Sequence, residues 1–271
     1  MRAEFTDGEF KFEYFVYGRG PKILFAFHGF DNDAQEFEPL AKQLGHSHTI
    51  VSVNLLFHGE STTSEKLVER GMSHAEFLRT TEKLMSLFPA ETYELMGFSL
   101  GGRMALYITQ HLGIRVSRLI LLAPDGLKSA GFYRFATHNS LGHTLFKRVV
   151  NDPSRFVGLA KALGRIGLLS EKKVRFAKLS LETPKKRNKV YNAWMVYRHI
   201  LPDVEAVKES VKRNGIDVQM FFGKFDVLMP PDLGKEFSAT IEKNCHIHVI
   251  QTGHQLLKGK ILEIIGLSLQ A

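Results

Sequence analysis

Residues Tyr93-Glu94-Leu95-Met96-Gly97-Phe98-Ser99-Leu100-Gly101-Gly102 decide the fold. An apolar run closes in Gly-x-Ser-x-Gly, and a second apolar stretch at helical spacing, 100–112, follows at once. Strand, tight turn and helix in that order leave the serine exposed at a sheet's edge. Gly97 and Gly101 stand two residues either side of Ser99, where side chains would collide in such a turn. The turn also sets backbone N–H groups at a helix start, which favours negative charge. A plain glycine-rich turn has the same composition, so the flanking chain must discriminate.

On both sides, strand-like and helix-like segments alternate. Residues 9–17 alternate Phe10, Phe12 and Tyr14 with other residues, the pattern of a half-buried antiparallel strand. Residues 22–27 form a continuous apolar run before His28-Gly29, as in a strand covered on both faces. Further strands are expected at 48–55, 116–123, 217–223 and 246–251, and helices at 33–44, 72–88, 232–242 and 254–269. This order implies an α/β protein with a mostly parallel, doubly wound sheet. Ligands in such sheets sit beyond the carboxyl ends of the strands.

Residues 128–216 break the alternation. They read as amphipathic helical stretches interrupted by Pro153, Pro184 and Pro202, and they hold 19 Lys+Arg against 6 Asp+Glu, a net of +13. The flanks hold 17 against 22, a net of −5, so the chain's +8 belongs to this segment. Clusters at Lys172-Lys173-Val174-Arg175 and Lys185-Lys186-Arg187-Asn188-Lys189 suit anionic substrates, an anionic membrane surface or, last, nucleic acid, or form a solvated helix face. Phe132, Phe135, Phe156, Trp194, Met195 and Tyr197 either line an acyl pocket or hold these helices together.

The 271 residues, 44% hydrophobic, exclude disorder, collagen and coiled coil. The single cysteine, Cys245, leaves no disulfide framework within the chain and points to a reducing compartment. The charged start lacks a signal peptide's apolar core, and no run is long enough to span a bilayer, so a cytoplasmic location is expected. No nucleic-acid motif appears, and no such partner is expected.

A serine needs a base. Of the twelve histidines, His254 lies best, just after the last strand in Gln251-Thr252-Gly253-His254-Gln255. Asp226, in Gly223-Lys224-Phe225-Asp226-Val227-Leu228-Met229-Pro230, would orient it, with Asp125 as the rival. His28-Gly29-Phe30 supplies a loop whose backbone can approach a reacting carbonyl; the N–H groups of Phe30 and Leu100 would receive the oxyanion. The pairs His246/His248 and His46/His48 have spacings that could bind metal but lack an evident third ligand, so neither metal nor cofactor is expected.

These residues together resemble the α/β-hydrolase fold superfamily over essentially the whole chain. His28-Gly29-Phe30 is similar to its oxyanion loop, and Asn54-Leu55-Leu56-Phe57-His58-Gly59-Glu60-Ser61 to its Asp-x-x-Gly-His-Gly-x-Ser segment. Gly97 to Gly101 matches its nucleophile elbow, Gly223 to Pro230 its acid loop, and Gly253-His254 its base, in the family's order. Asn54 and Phe57 depart from the usual Asp and Gly. The resemblance implies that 128–216 is a helical cap inserted between the sixth and seventh strands, over a core of 1–127 and 217–271. It also implies a serine hydrolase cleaving a small-molecule ester or thioester, anionic ones included. A non-catalytic ligand-binding relative, or a lyase or synthase using the same residues, is the alternative.

Overall fold

The computed structural model describes residues 1–128, 131–154, 156, 158, 178–179 and 181–270. The Lys172 to Arg175 cluster lies outside them. Two compact units are present: a sheet unit of Met1–Ser64, Ser73–Lys128 and Ile200–Ala271, and a helical unit of Glu65–Met72 with the described residues of Ser129–His199.

The sheet unit contains eight strands: β1 (Arg2–Asp7), β2 (Phe10–Tyr17), β3 (Lys22–Phe27), β4 (His48–Val53), β5 (Tyr93–Phe98), β6 (Val116–Leu122), β7 (Asp217–Gly223) and β8 (Cys245–Ile250). They form one sheet in the order β1-β2-β4-β3-β5-β6-β7-β8. The β1/β2 and β2/β4 pairs are antiparallel and every other pair is parallel. The central strands read as near-continuous apolar runs because both their faces are covered; every residue of β5 is buried. Leu24, Met96, Ile120 and Phe221, from four neighbouring strands, share one core cluster with Leu256, Leu257 and Leu262.

A 3₁₀ turn (Ala34–Leu40) leads into α1 (Ala41–Leu44); α3 (His74–Ser86), α4 (Leu100–Leu112), α8 (Val204–Asn214), α9 (Asp232–Ser238) and α10 (Gly259–Ser268) complete this unit. Several of these boundaries have a local cause. Ser73 and Glu76 close a capping box on α3, and Asp33 and Glu36 close another on the 3₁₀ turn. Gly215, left-handed at φ 64°, ends α8.

After β3 the chain moves outward to β4, whereas after β5 it moves the other way to β6. The adjacent carboxyl ends of β3 and β5 are therefore a topological switch point, where open sheets leave a crevice. The loops carrying Phe30 and Ser99 both leave from there.

The helical unit contains α2 (Glu65–Arg70), α5 (Gly131–His138), α6 (Ser140–Asn151) and α7 (Pro184–Val196). Its core is aromatic: the Phe146 ring lies against Tyr191 and Trp194, and Tyr133 donates to the Trp194 carbonyl at 3.0 Å. Arg198 ties in α2 by donating to the Val68, Glu69 and Arg70 carbonyls.

Two local expectations are corrected, and residues 2–7 add a strand that no expected element covers. The segment 33–44 is a 3₁₀ turn containing Pro39 followed by one α-turn, rather than a continuous helix. The last helix begins at Gly259, so His254 stands in a loop instead of at a helix start.

Candidate active site

Among the described residues, four that are not glycine have positive φ: Asp31 (64°), Phe57 (68°), Ser99 (49°) and Ala123 (41°). They lie in the segments leaving β3, β4, β5 and β6. Such conformations cost on the order of 1–3 kcal/mol each and persist where the surroundings over-determine them. Here all four sit at the carboxyl-end edge of the sheet.

At Ser99 the cause is visible. Its N–H donates to the Leu122 carbonyl (3.0 Å), while its own carbonyl accepts from Gly102, Arg103 and Asp125. The residue is held between β5, α4 and the β6 loop. Any side chain at Gly97 would strike the Gly101 backbone, and one at Gly101 would strike the Phe27 carbonyl. The turn closes only with glycine at both positions.

Ser99 Oγ lies 3.2 Å from His254 Nε2, and His254 Nδ1 lies 2.6 Å from Asp226 Oδ2. Residues 155 positions apart in sequence are thus joined in one hydrogen-bonded series. The loops carrying Asp226 and His254 are stitched to each other: Lys224 N–H donates to the Ile250 carbonyl (2.8 Å) and Phe225 N–H to that of Thr252 (2.9 Å). The other carboxylate oxygen of Asp226 accepts from the Leu228 and Met229 N–H groups at 2.8 and 3.0 Å. One oxygen is fixed by the backbone, which aims the second at the imidazole. The Asp226 side chain is 0% exposed and that of His254 19%, so the series runs from the interior to an accessible end. The Phe98 ring packs on the imidazole, with centroids 5.1 Å apart.

Asp125, the rival carboxylate, is placed elsewhere: it pairs with Arg103 of α4 through Nε (3.0 Å) and a second, shorter contact.

Phe30 follows Gly29 directly after β3, and Leu100 is the first residue of α4. His28 is fully buried; Leu55 N–H donates to its Nε2 (3.0 Å), so its proton sits on Nδ1, which contacts the Gly29 carbonyl at 2.7 Å. His58 repeats the arrangement: Asp31 N–H donates to Nε2 (3.1 Å), and Nδ1 faces the Leu56 carbonyl. Ala34 N–H donates to Asn54 Oδ1 at 2.8 Å. The 54–61 segment thus grips the loop after β3 at three points.

Both departures in that segment now have physical accounts. The Asn54 amide donates to the buried carboxylate of Glu13 on β2 at 2.6 Å, where an aspartate would bring a second negative charge. Phe57 takes the left-handed conformation that a glycine would adopt without strain. Glu13 escaped the sequence reading. Its signal was a lone carboxylate within the aromatic strand Phe10-Lys11-Phe12-Glu13-Tyr14-Phe15. Burial alone would raise its pKa, but hydrogen bonds from Glu60 N–H, Asn54 and Arg2 outweigh that and hold it below the usual carboxylate value.

Cys245 is buried on β8, and desolvation, followed by the charge of Asp217, pushes its thiol up to about 12, so it stays protonated and unreactive. Among the described residues, no group of three His, Cys, Asp or Glu side chains is placed to hold a metal ion. His248 instead contacts Gln219 Oε1 at 2.9 Å and stacks on Phe221. No helix of the described residues is long and apolar enough to cross a membrane.

The sequence profile of the alpha/beta hydrolase fold family matches residues 22–259. The chain belongs to that family. Its matches among other proteins are of low identity. An uncharacterized hydrolase, YugF, of Bacillus subtilis (strain 168) is 21% identical over 238 residues, covering 87% of this chain and 84% of that protein. Among solved structures, a thermophilic esterase from Thermogutta terrifontis superposes with a TM-score of 0.68 at 17% identity, over 100% of this chain and 97% of that one. The thioesterase domain from the curacin biosynthetic pathway gives 0.66 at 16% identity, over 100% and 99%. At these identities the likeness establishes the fold, and the reaction has to be argued from the site.

Proposed function

We propose that this alpha/beta hydrolase cleaves a carboxylic ester or thioester of a small or acyl substrate through an acyl-enzyme on Ser99. The observation that carries the reading is the series Ser99 Oγ–His254 Nε2–Asp226 Oδ2, at 3.2 and 2.6 Å. His254 Nε2 takes the serine proton as Oγ attacks the carbonyl carbon. Asp226 holds the Nδ1 proton in place and stabilises the imidazolium that forms. The backbone N–H groups of Phe30 and Leu100 receive the oxyanion, each such donor being worth roughly 3 kcal/mol in the transition state. His254 then protonates the leaving group and activates the water that releases the acyl group. Of the expected cap, 128–216, residues 200–216 belong to the sheet unit, and 129–199 serve in this reading as the family's cap insertion.

The three-point grip on residues 28–34 supports the assignment, because an oxyanion donor acts only if it is already in place. The esterase and thioesterase neighbours make that substrate class the first to test. A fluorophosphonate probe should label the folded chain on Ser99, and Ser99→Ala should lose labelling together with turnover of p-nitrophenyl and coenzyme A esters. An unlabelled wild-type chain whose ester turnover equals that of Ser99→Ala would overturn the reading. Mass spectrometry of a rapidly quenched reaction separates hydrolysis from lyase chemistry, since only the former passes through an acyl-Ser99.

A further inference from the structure

The basic charge of the helical unit has no role in the chemistry above, and α5 and α6 show where part of it is displayed. On α5, Phe132 and Phe135 are 63% and 42% exposed; on α6, Leu141 and Leu145 are 62% and 41% exposed. Spacings of three and four residues put each pair on one face of its helix. The unit's core is supplied by other residues of the same helices, Tyr133 and Ala136 on α5, Phe146 and Val150 on α6. The exposed pairs are only partly used in packing: Phe132 meets the edge of Trp194, while most of the surface of Leu141 and of Phe132 stays in solvent. The helices also touch beside them: a side chain at Gly142, next to Leu141, would strike the Phe135 carbonyl and lie 3.0 Å from its ring.

Charge sharpens the picture. Residues 131–151 contain Arg134, Lys147 and Arg148 and no Asp or Glu. All three cations are exposed, and among the described residues Lys147 alone of them faces a carboxylate, that of Glu69 at 3.9 Å. A nucleic acid would use the cations but has no use for four large apolar side chains at the same place. An interface made of protruding Phe and Leu ringed by Lys and Arg has the composition of helices that lie in the headgroup region of a bilayer.

We propose that the α5–α6 hairpin docks on an anionic phospholipid bilayer. The four apolar side chains enter the headgroup–acyl boundary, and Arg134, Lys147 and Arg148 meet the lipid phosphates. Both helices are short, so the attachment is peripheral and reversible. It is independent of the reaction assigned to Ser99 and predicts binding whether or not an ester is cleaved.

Sedimentation of the full chain with vesicles tests it. The chain should pellet with vesicles of phosphatidylcholine mixed with phosphatidylglycerol, remain free with phosphatidylcholine alone, and be released by added salt. Arg134→Glu with Arg148→Glu should weaken the partition coefficient by more than about twentyfold, taking roughly fivefold per basic residue. Leu141→Ser with Leu145→Ser should weaken it on the order of tenfold or more. Melting temperatures near wild type would show that the variants fold. Absence of pelleting by folded wild type, or leucine variants that pellet like wild type, would overturn the proposal. Binding to soluble polyglutamate that matches vesicle binding and survives the leucine substitutions would assign the surface to an acidic protein instead.

Discussion

In the sheet unit Glu94 is buried beside His48 (3.2 Å), with Lys22 and Arg118 within 4 Å, and Asp7 and Glu13 are each held by an arginine and by hydrogen bonds. In the helical unit 17 Lys+Arg face 5 Asp+Glu, a net of +12, against −4 for the sheet unit. One unit takes carboxylates inside and matches each with donors. The other, among its described residues, keeps Arg134, Lys147, Arg148, Lys178 and Lys185 exposed, with Lys147 facing Glu69 and Lys186 facing Glu182. Buried charge has to be matched or its removal from water is uncompensated, whereas exposed charge is screened and free to serve whatever approaches. Substitutions should accordingly change chemistry or stability in the sheet unit, and mainly salt dependence in the helical unit.

The largest effect should follow Asp226→Asn. The amide would keep the backbone contacts but impose the wrong imidazole tautomer, and kcat for an ester should fall on the order of 10⁴-fold with little change in melting temperature. Retention of more than a tenth of wild-type kcat would break the assignment of a buried charge to chemistry. Next comes Asn54→Asp, which sets a second carboxylate against Glu13 inside the fold. Urea unfolding should report a loss of roughly 3 kcal/mol, largely restored by adding Glu13→Gln.

Smaller again is the acid response of Glu94. Burial pushes its pKa up, but the hydrogen bond and charge of His48, with Arg118 and Lys22, bring it below its ordinary 4.5. A carboxylate depressed in the fold stabilises above its unfolded value and loses that contribution as pH falls through the folded one. The urea midpoint of wild type should therefore drop below about pH 4.5 more steeply than that of Glu94→Gln. The smallest effect belongs to the helical unit: kcat/KM for an anionic ester should fall with ionic strength somewhat more than for a neutral one, and Lys185→Glu with Lys189→Glu should narrow the gap. Equal salt dependence for both esters would remove any steering role for this charge.

The strands and the Ser99 turn were legible because central parallel strands are near-continuous apolar runs and, in that turn, glycine stands where no side chain fits. Asp226 and His254 were legible from their place after strands, although their contact required the fold. β1 was missed because only Phe5 and Asp7 are buried in it, so its pattern resembled a polar tail. The helix drawn from His254 was too long because Leu256 and Leu257 are apolar for another reason: they anchor a loop into the core. Glu13 was out of reach as a support, and His58, although part of the quoted 54–61 motif, had no readable partner, because the groups that meet them lie across strands and loops that no local pattern connects.

The backbone at Ser99 has one more consequence. At φ 49° and ψ −113°, the residue would be easier to accommodate as glycine. Ser99→Gly should raise the melting temperature of the chain while ending its turnover. On the proposed role of Ser99, folding and turnover favour different residues at position 99, and an inactive variant that outlasts wild type on heating would show the chain giving up robustness to keep the serine proposed as its nucleophile.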